Sequence, residues 1–421
     1  METMEKAVLV GLYADSMEPA ERSTDESMDE LEALLDTAGG VAVGRVLQYR
    51  DKPEPRSFIG AGKVREVKEL VNAEGCDLVV FDNELSPSQS RALEDDLGVR
   101  VVDRSSLILD IFAQRARTSE GRLQVELAQY KYLLPRLTGM WTHLVRQTAA
   151  GGSSPIGTRG PGETQLETDR RHIRRKIQKL EDELKAVRKV RATQRKLREK
   201  NSVPVIALVG YTNAGKSTLL NALTGAGIPA RNRLFDTLDT TTRKIRLSAT
   251  KEALLSDTVG FIRKLPHHLV EAFKATLEEL TYDDLLLHVI DVSNPQWREQ
   301  AEVVDSLILQ LGAEKTPRIE VYNKTDLLPE GEILPRGEGI VEISAATGAG
   351  MENLISEICK ILDSQRREVL LHIPYDKGGV MDMLHRKSEI LKTEYKDSFI
   401  EVSAIVTPEV YGALKDYIEV K

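Results

Sequence analysis

Four short clusters in the middle of the chain combine residue types and spacings suited to holding a phosphorylated nucleotide. The first is Gly210-Tyr211-Thr212-Asn213-Ala214-Gly215-Lys216-Ser217, which fits G-x-x-x-x-G-K-[ST]. It lies between an apolar, strand-like run (Val203 to Val209) and a helix start (Ser217 to Leu223). Consecutive backbone N–H groups of such a loop face one concavity, and the helix that follows presents its positive end. Lys216 is the candidate for a full positive charge beside the β- and γ-phosphates, a catalytic role, and Ser217 for a hydroxyl ligand to Mg²⁺.

Asp257-Thr258-Val259-Gly260 follows the strand-like Ala253 to Ser256. Asp257 is expected to hold Mg²⁺ through a water. The Gly260 N–H is expected to sense the γ-phosphate in catalysis, because a residue without a side chain lets the backbone approach closely. Asn323-Lys324-Thr325-Asp326, after the strand-like Arg318 to Tyr322, fits N-K-x-D. An aspartate carboxylate accepts from both N1–H and the exocyclic amine of guanine, whereas adenine lacks that amine and turns an acceptor toward the acid. The Lys324 stem can cover the base plane, Asn323 can tie the base loop to the phosphate loop, and Ser344-Ala345-Ala346 offers an N–H to the guanine O6.

The fourth cluster, Phe235-Asp236-Thr237-Leu238-Asp239-Thr240-Thr241-Thr242, contains the threonine expected to close on Mg²⁺ when a γ-phosphate is present. Thr237 is preferred as this catalytic and metal-binding group, with Thr241 and Thr242 as alternatives. Taken singly, D-x-x-G and N-K-x-D are common turns. Their order and spacing make them reinforce one another. After D-x-x-G stand Phe261 and Ile262, neither able to orient a water, so slow intrinsic hydrolysis is expected.

These clusters need a parallel sheet behind them. At 421 residues the chain suggests two to four domains. Residues 1–118 alternate apolar runs (Val8 to Leu12, Val41 to Leu47, Leu78 to Phe81, Val99 to Val102) with helical stretches such as Val64 to Val71, the pattern of a parallel α/β layer. Ser86-Pro87 marks a helix start. Gly60-Ala61-Gly62-Lys63 completes no phosphate motif and reads as a turn into a helix. Residues 119–200 read as an antiparallel helical hairpin: Leu123, Leu127, Tyr130, Leu134 and Leu137 step by 4 and 3, as do Ile173, Ile177, Leu180, Leu184 and Val187. Pro135 is expected to end or kink the first helix. A Gly- and Pro-rich loop over 149–168 joins the two. Residues 201–366 form the P-loop domain, and 367–421 a small α/β domain read as strand (Val369 to Ile373), helix (Val380 to Ile390), strand (Phe399 to Val406) and a helix opened by Thr407-Pro408.

The net charge of −8 hides an asymmetry. Arg170 to Lys200 holds 14 Lys and Arg against 4 acids, +10, which leaves −18 for the rest and points to a localised polyanion contact. Arg159 on the loop and Arg170, Arg171, Arg174 and Arg175 at its base are the candidate RNA-binding residues. The two cysteines, Cys76 and Cys359, have no metal spacing and read as buried thiols of a reducing compartment. No apolar run is long enough to span a bilayer, so a cytoplasmic protein without stable membrane insertion is expected, peripheral membrane association being the alternative.

Several longer stretches resemble the HflX GTPases: Phe58-Ile59-Gly60 with Gly62-Lys63, LSPSQSRALE at 85–94, DRSSLILDIFAQRARTSEGRLQVELAQ at 103–129 and, most specifically, GTRGPGETQLETDRR at 157–171. The resemblance covers nearly the whole chain. It implies an α/β protein with a P-loop NTPase G domain, preceded by an α/β domain with a long helical hairpin and followed by a small α/β domain. It further implies a Mg²⁺-dependent GTPase, exchanging GTP and GDP as a monomer, that binds the large ribosomal subunit and its ribosomal RNA and splits or rescues stalled ribosomes. The chain departs from the family at Asp239-Thr240, where Asp-Pro is common, and no motif supports ATP use by the N-terminal region. The alternatives are a ribosome-assembly or RNA-modification GTPase, which would share every nucleotide motif, a nucleotide-gated module whose N-terminal half engages a protein, and a P-loop ATPase, which Asp326 opposes.

Overall fold

The computed structural model describes residues 4–140, 161–200, 203–225, 234–235, 241–248, 251–266, 269, 278–329, 331–364, 367–406, 410–411 and 414–418. Contacts divide the chain into two units. One comprises Met1–Ala186, Arg231–Asp239 and Val259–Thr276; the other comprises Val187–Ala230, Thr240–Thr258 and Leu277–Lys421.

The first unit runs β1 (Lys6–Ala14), α1 (Asp25–Ala38), β2 (Val41–Arg50), α2 (Ala61–Glu74), β3 (Leu78–Phe81), α3 (Pro87–Leu97), β4 (Arg100–Asp103) and α4 (Arg104–Arg115). The four strands are parallel in the order β2-β1-β3-β4. β3 is buried along its length and β1 nearly so, as expected of central strands covered on both faces. Helix starts follow local chemistry. Ser86 accepts from the Gln89 N–H in a capping box with Pro87 in the first turn, and Thr24 caps α1 in the same way. Gly60 precedes α2 as its N-terminal cap position, in line with a turn into a helix.

Two long helices follow, α5 (Ser119–Met140) and α6 (Pro161–Lys200). Leu127, Leu180 and Leu184 are buried together, with Leu123, Tyr130 and Ile177 packed against them. Ion pairs Lys131–Glu181 (3.2 Å) and Lys176–Glu126 (3.1 Å) flank this seam. Of the two outcomes expected at Pro135, an end to the helix is excluded, since α5 continues through it to Met140. Its last turns are anchored from outside: Tyr132 and Arg136 both donate to the Asp103 carboxylate, at 2.8 and 2.9 Å, and this offsets the backbone bond that proline removes. The expected loop over 149–168 is shorter at its C-terminal end, because residues 161–168 are helical, with Pro161 at the favoured first position. The rest of that loop, Arg159 included, lies outside the described residues.

The second unit contains a six-stranded sheet, β5 (Val205–Gly210), β6 (Thr241–Arg246), β7 (Glu252–Asp257), β8 (Leu285–Asp291), β9 (Arg318–Asn323) and β10 (Ile340–Glu342), with helices α7 (Lys216–Thr224), α8 (Trp297–Gln310) and α9 (Met351–Ser364). The spatial order is β10-β9-β8-β5-β7-β6, parallel except for β6 against β7. Its core joins Ile206, Leu208, Leu255, Leu287, Val289 and Val321 with Leu219, Leu220, Leu354 and Ile358. Next comes a three-stranded antiparallel sheet, β11 (Arg367–Pro374), β12 (Glu389–Tyr395) and β13 (Phe399–Val406) in the order β11-β13-β12, with α10 (Gly378–Lys387). Strand β12 replaces the end of the expected helix. It is an edge strand with little buried surface, so it carries almost no apolar alternation to read. Thr407-Pro408 lies outside the described residues.

Candidate nucleotide site

In the six-stranded sheet the order of connection reverses between β5 and β8, so a crevice is expected outside the carboxyl ends of these strands. The motif residues sit there. Gly210, Asp257, Asp291 and Asn323 are the last residues of β5, β7, β8 and β9. Parallel pairing therefore delivers clusters far apart in sequence to one edge.

The phosphate loop enters α7 directly. Gly215 has φ 95°, and a Cβ there would lie 2.3 Å from the Asn323 side-chain nitrogen, so only glycine fits. That nitrogen, Nδ2, donates to the Ala214 carbonyl at 2.8 Å, while Asn323 Oδ1 accepts from the Ala345 N–H at 3.0 Å. One buried side chain thus ties the phosphate loop, the N-K-x-D segment and the 344–346 segment together. Thr325 Oγ1 donates to Ile343 O at 3.0 Å, and Ser344 Oγ accepts from Thr347 N at 3.2 Å. Asp326 is exposed on the short 3₁₀ turn Thr325–Leu327.

Lys216 is 7% exposed, and its ammonium donates to the carbonyls of Gly210 (3.0 Å) and Tyr211 (2.7 Å). Burial pushes its pKa down to about 8, with Asp257 pulling the other way. Ser217 Oγ donates to Asp257 Oδ2 at 2.9 Å, which places two hard oxygen donors side by side. Thr258 Oγ1 donates to Leu208 O at 2.6 Å and locks the end of β7 onto β5.

Three family models match successive parts of the chain. Residues 25–113 match a GTP-binding GTPase N-terminal region, 115–198 a GTP-binding GTPase middle region, and 205–324 a 50S ribosome-binding GTPase. The GTPase HflX of Caldanaerobacter subterraneus subsp. tengcongensis is 48% identical over 415 residues, 98% of this chain and 94% of that protein. The chain belongs to the HflX family of GTPases. The GTPase HflX of Escherichia coli (strain K12) is 45% identical over 393 residues, 92% of this chain and 90% of its own. A crystal structure of a GTP-binding protein from Sulfolobus solfataricus in complex with GDP is 24% identical, covering 85% of this chain and 98% of that one, with a TM-score of 0.43.

In this HflX-family GTPase the second unit brings together Gly210 to Ser217, Asp257, Thr258, Asn323 to Asp326 and Ser344 to Ala346. Phe235, Val259 and Gly260 belong to the first unit. Asp236, Thr237, Leu238 and Asp239 lie outside the described residues. The alternatives Thr241 and Thr242 are part of β6, paired with Asp257 and Ser256 of β7. Arg171, Arg174 and Arg175 are exposed on α6 and Arg170 is half-buried. Cys76 is buried as expected, but Cys359 is only half-buried. No helix among the described residues is long and apolar enough to cross a membrane.

Asp291 was not anticipated. Its Oδ2 takes the Lys324 ammonium at 2.6 Å while Oδ1 accepts from the N–H (3.1 Å) and hydroxyl (2.5 Å) of Ser293. A signal was available, since Asp291 ends an apolar strand as Asp257 and Asn323 end theirs.

Proposed function

We propose that the crevice of the six-stranded sheet binds GTP through Lys216, Asn323 and Asp326, with Ser217 and Asp257 serving Mg²⁺, and that the hydrolytic cycle acts on the large ribosomal subunit. The observation that carries the nucleotide reading is the pair of hydrogen bonds made by the Asn323 side chain, which holds the phosphate loop and the base-reading segments in one fixed relation. Lys216 can exchange its two carbonyl acceptors for phosphate oxygens. The hydroxyl of Ser217 beside the Asp257 carboxylate fits Mg²⁺, which takes few protein oxygens and completes its shell with water and phosphate. A bound Mg²⁺ would neutralise charge developing on the phosphates. Phe261 and Ile262 are each 1% exposed, so the positions after D-x-x-G serve packing and leave water orientation to another group. Slow hydrolysis by the free protein follows, with acceleration on the ribosome.

The ribosomal part is supported by the match to a 50S ribosome-binding GTPase and by the exposed arginines of α6. Splitting or rescue of stalled particles is the activity this reading favours. Calorimetry with GTP, GDP and ATP in Mg²⁺ tests the site: guanine nucleotides bind and ATP binds at least about a hundredfold more weakly. Absence of heat with GTP overturns it. Co-sedimentation with purified subunits in GTP-analogue and GDP states tests the partner, and equal single-turnover rates with and without large subunits would sink the acceleration.

A further inference from the structure

The N-terminal sheet has a reversal point of its own, between β1 and β3, and the crevice there is charged. Ser23, Ser27, Asp82, Asn83 and Arg104 line it, each 3% exposed or less. Asp82 Oδ1 accepts from Arg104 Nη1 at 2.8 Å. Asp82 Oδ2 accepts from Ser23 Oγ at 2.7 Å, from Ser27 Oγ, and from the ammonium of Lys264. Arg104 also pairs with Glu30. A Cβ on Gly11 would lie 2.8 Å from Ser23 Cβ and 2.7 Å from Met28 Sδ, so a glycine in β1 makes room for the serine that reaches Asp82.

Lys264 stands four residues beyond Gly260, in the segment that follows D-x-x-G, and its side chain is 5% exposed. It is the cation that balances the cluster: Asp82 and Glu30 face Arg104 and Lys264, and without the lysine a buried negative charge remains. The other motif segment makes a matching contact, Phe235 packing edge-on to Phe112 with ring centroids 4.7 Å apart at 90°. Lys264 (φ 52°) and Phe235 (φ 54°) both have left-handed backbone, which bulky and long side chains seldom adopt. Strain at both contact residues marks a conformation fixed by what each side chain grips.

We propose that Asp82, oriented by Arg104 and the two serines, is a positioning residue that clamps Lys264 and so ties the segment after D-x-x-G to the N-terminal sheet, making the nucleotide state legible in that sheet. The inference rests on the proposed GTP site and on Gly260 answering to the γ-phosphate, the role expected of it from the sequence. The crevice that another open α/β sheet would offer to a free ligand is here filled by an ammonium of the same chain.

Hydrogen exchange of the full-length protein, loaded with GDP or with a non-hydrolysable GTP analogue, tests this. Peptides covering residues 20–30 and 78–85 should exchange at rates differing by at least about fivefold between the two states. In D82N/K264M, which keeps the crevice charge-balanced, the difference vanishes while both nucleotides bind within about threefold of the wild-type affinity. S27A, which removes one donor and leaves every charge, reduces the difference without abolishing it, and serves if the double variant does not fold. A difference that survives in D82N/K264M or is unchanged in S27A overturns the proposal, as does its absence from wild-type protein that binds both nucleotides. Failure of nucleotide to bind, read separately by calorimetry, rejects the site assignment and this inference with it.

Discussion

The chain contains two largely parallel sheets, each with polar residues gathered beside a reversal point, yet the two crevices have opposite character. In the six-stranded sheet the first strand passes through Gly215 straight into a helix, so backbone N–H groups and the Lys216 ammonium gather at one point, suited to an anion. In the N-terminal sheet the loop between β1 and α1 contains no such turn, and the group at the end of β3 is Asp82, whose crevice takes a cation and already holds Lys264. Topology selects the place where a sheet binds. Residue chemistry at the strand ends selects the sign of what is bound.

The contrast is sharpest where one charge is removed from each crevice. Lys216→Ala should lower GTP affinity and turnover together by at least about a thousandfold, because a desolvated charge at developing phosphate charge has no substitute in water. A loss under tenfold, measured by nucleotide titration and single-turnover hydrolysis, would show that the loop amides suffice. Asp82→Ala should instead cost stability, about 3–5 kcal/mol in denaturant titration, since Arg104 and Lys264 lose a shared buried partner. D82N/K264M should cost less than either single charge deletion. If Asp82→Ala costs under about 1 kcal/mol, the cluster is no anchor.

A smaller effect is expected at the base. Asp326→Asn should weaken GTP about a hundredfold, as one of the two acceptors facing guanine becomes a donor set against the exocyclic amine, and should raise affinity for xanthosine triphosphate, whose C2 oxygen can accept from the new amide. Unchanged purine preference would move guanine recognition away from this exposed carboxylate.

How much of this was legible in the sequence depends on range. The phosphate loop, the order of its companion motifs, the strands of the N-terminal sheet and β5, β7 and β9 of the second were legible because each is a local pattern: an apolar run, a glycine turn, a capped helix. Strands β6, β8 and β10 were not read. Ser86-Pro87 opens α3 as read, and β3 spans Leu78 to Phe81 as read. The Asp82–Lys264 pair joins residues 182 positions apart, and nothing near Lys264 distinguishes it from a solvated surface lysine. Pro135, read as an end or a kink, shows the same limit in reverse, because the helix does not end there. Its local preference to break a helix is overridden by contacts from Tyr132 and Arg136 to Asp103, which no window around the proline contains. Strand β12 was missed because an exposed edge strand needs no apolar period.

Proton linkage gives the last and smallest separation of the two crevices. Lys216, pushed down to about 8 by burial, must be an ammonium to meet phosphate. Its folded pKa lies below the ordinary lysine value, so the nucleotide-free protein gains stability from this group as pH rises from about 8 toward 10.5. Binding runs the other way. Above about 8 the site must first take up a proton, and GTP affinity should fall about tenfold between pH 7 and 9. Asp82 behaves differently: burial pushes its pKa up, but Arg104, Lys264 and the hydrogen bonds from Lys264 and Ser27 outweigh this and hold it below the usual carboxylate range. Its stabilising contribution is therefore complete at neutral pH and is lost only as pH falls through that lowered value, which leaves it constant across the window in which Lys216 titrates. Fluorescent-nucleotide titrations from pH 7 to 9 read the first crevice, and denaturant midpoints of D82N/K264M relative to wild type over the same range read the second. A flat affinity profile would mean that the ammonium of Lys216 is solvated before phosphate arrives. The other group of the pair, Lys264, has its pKa lowered by burial against the pull of Asp82, so a wild-type advantage that grows with pH would mean that Lys264 gives up its proton within this range.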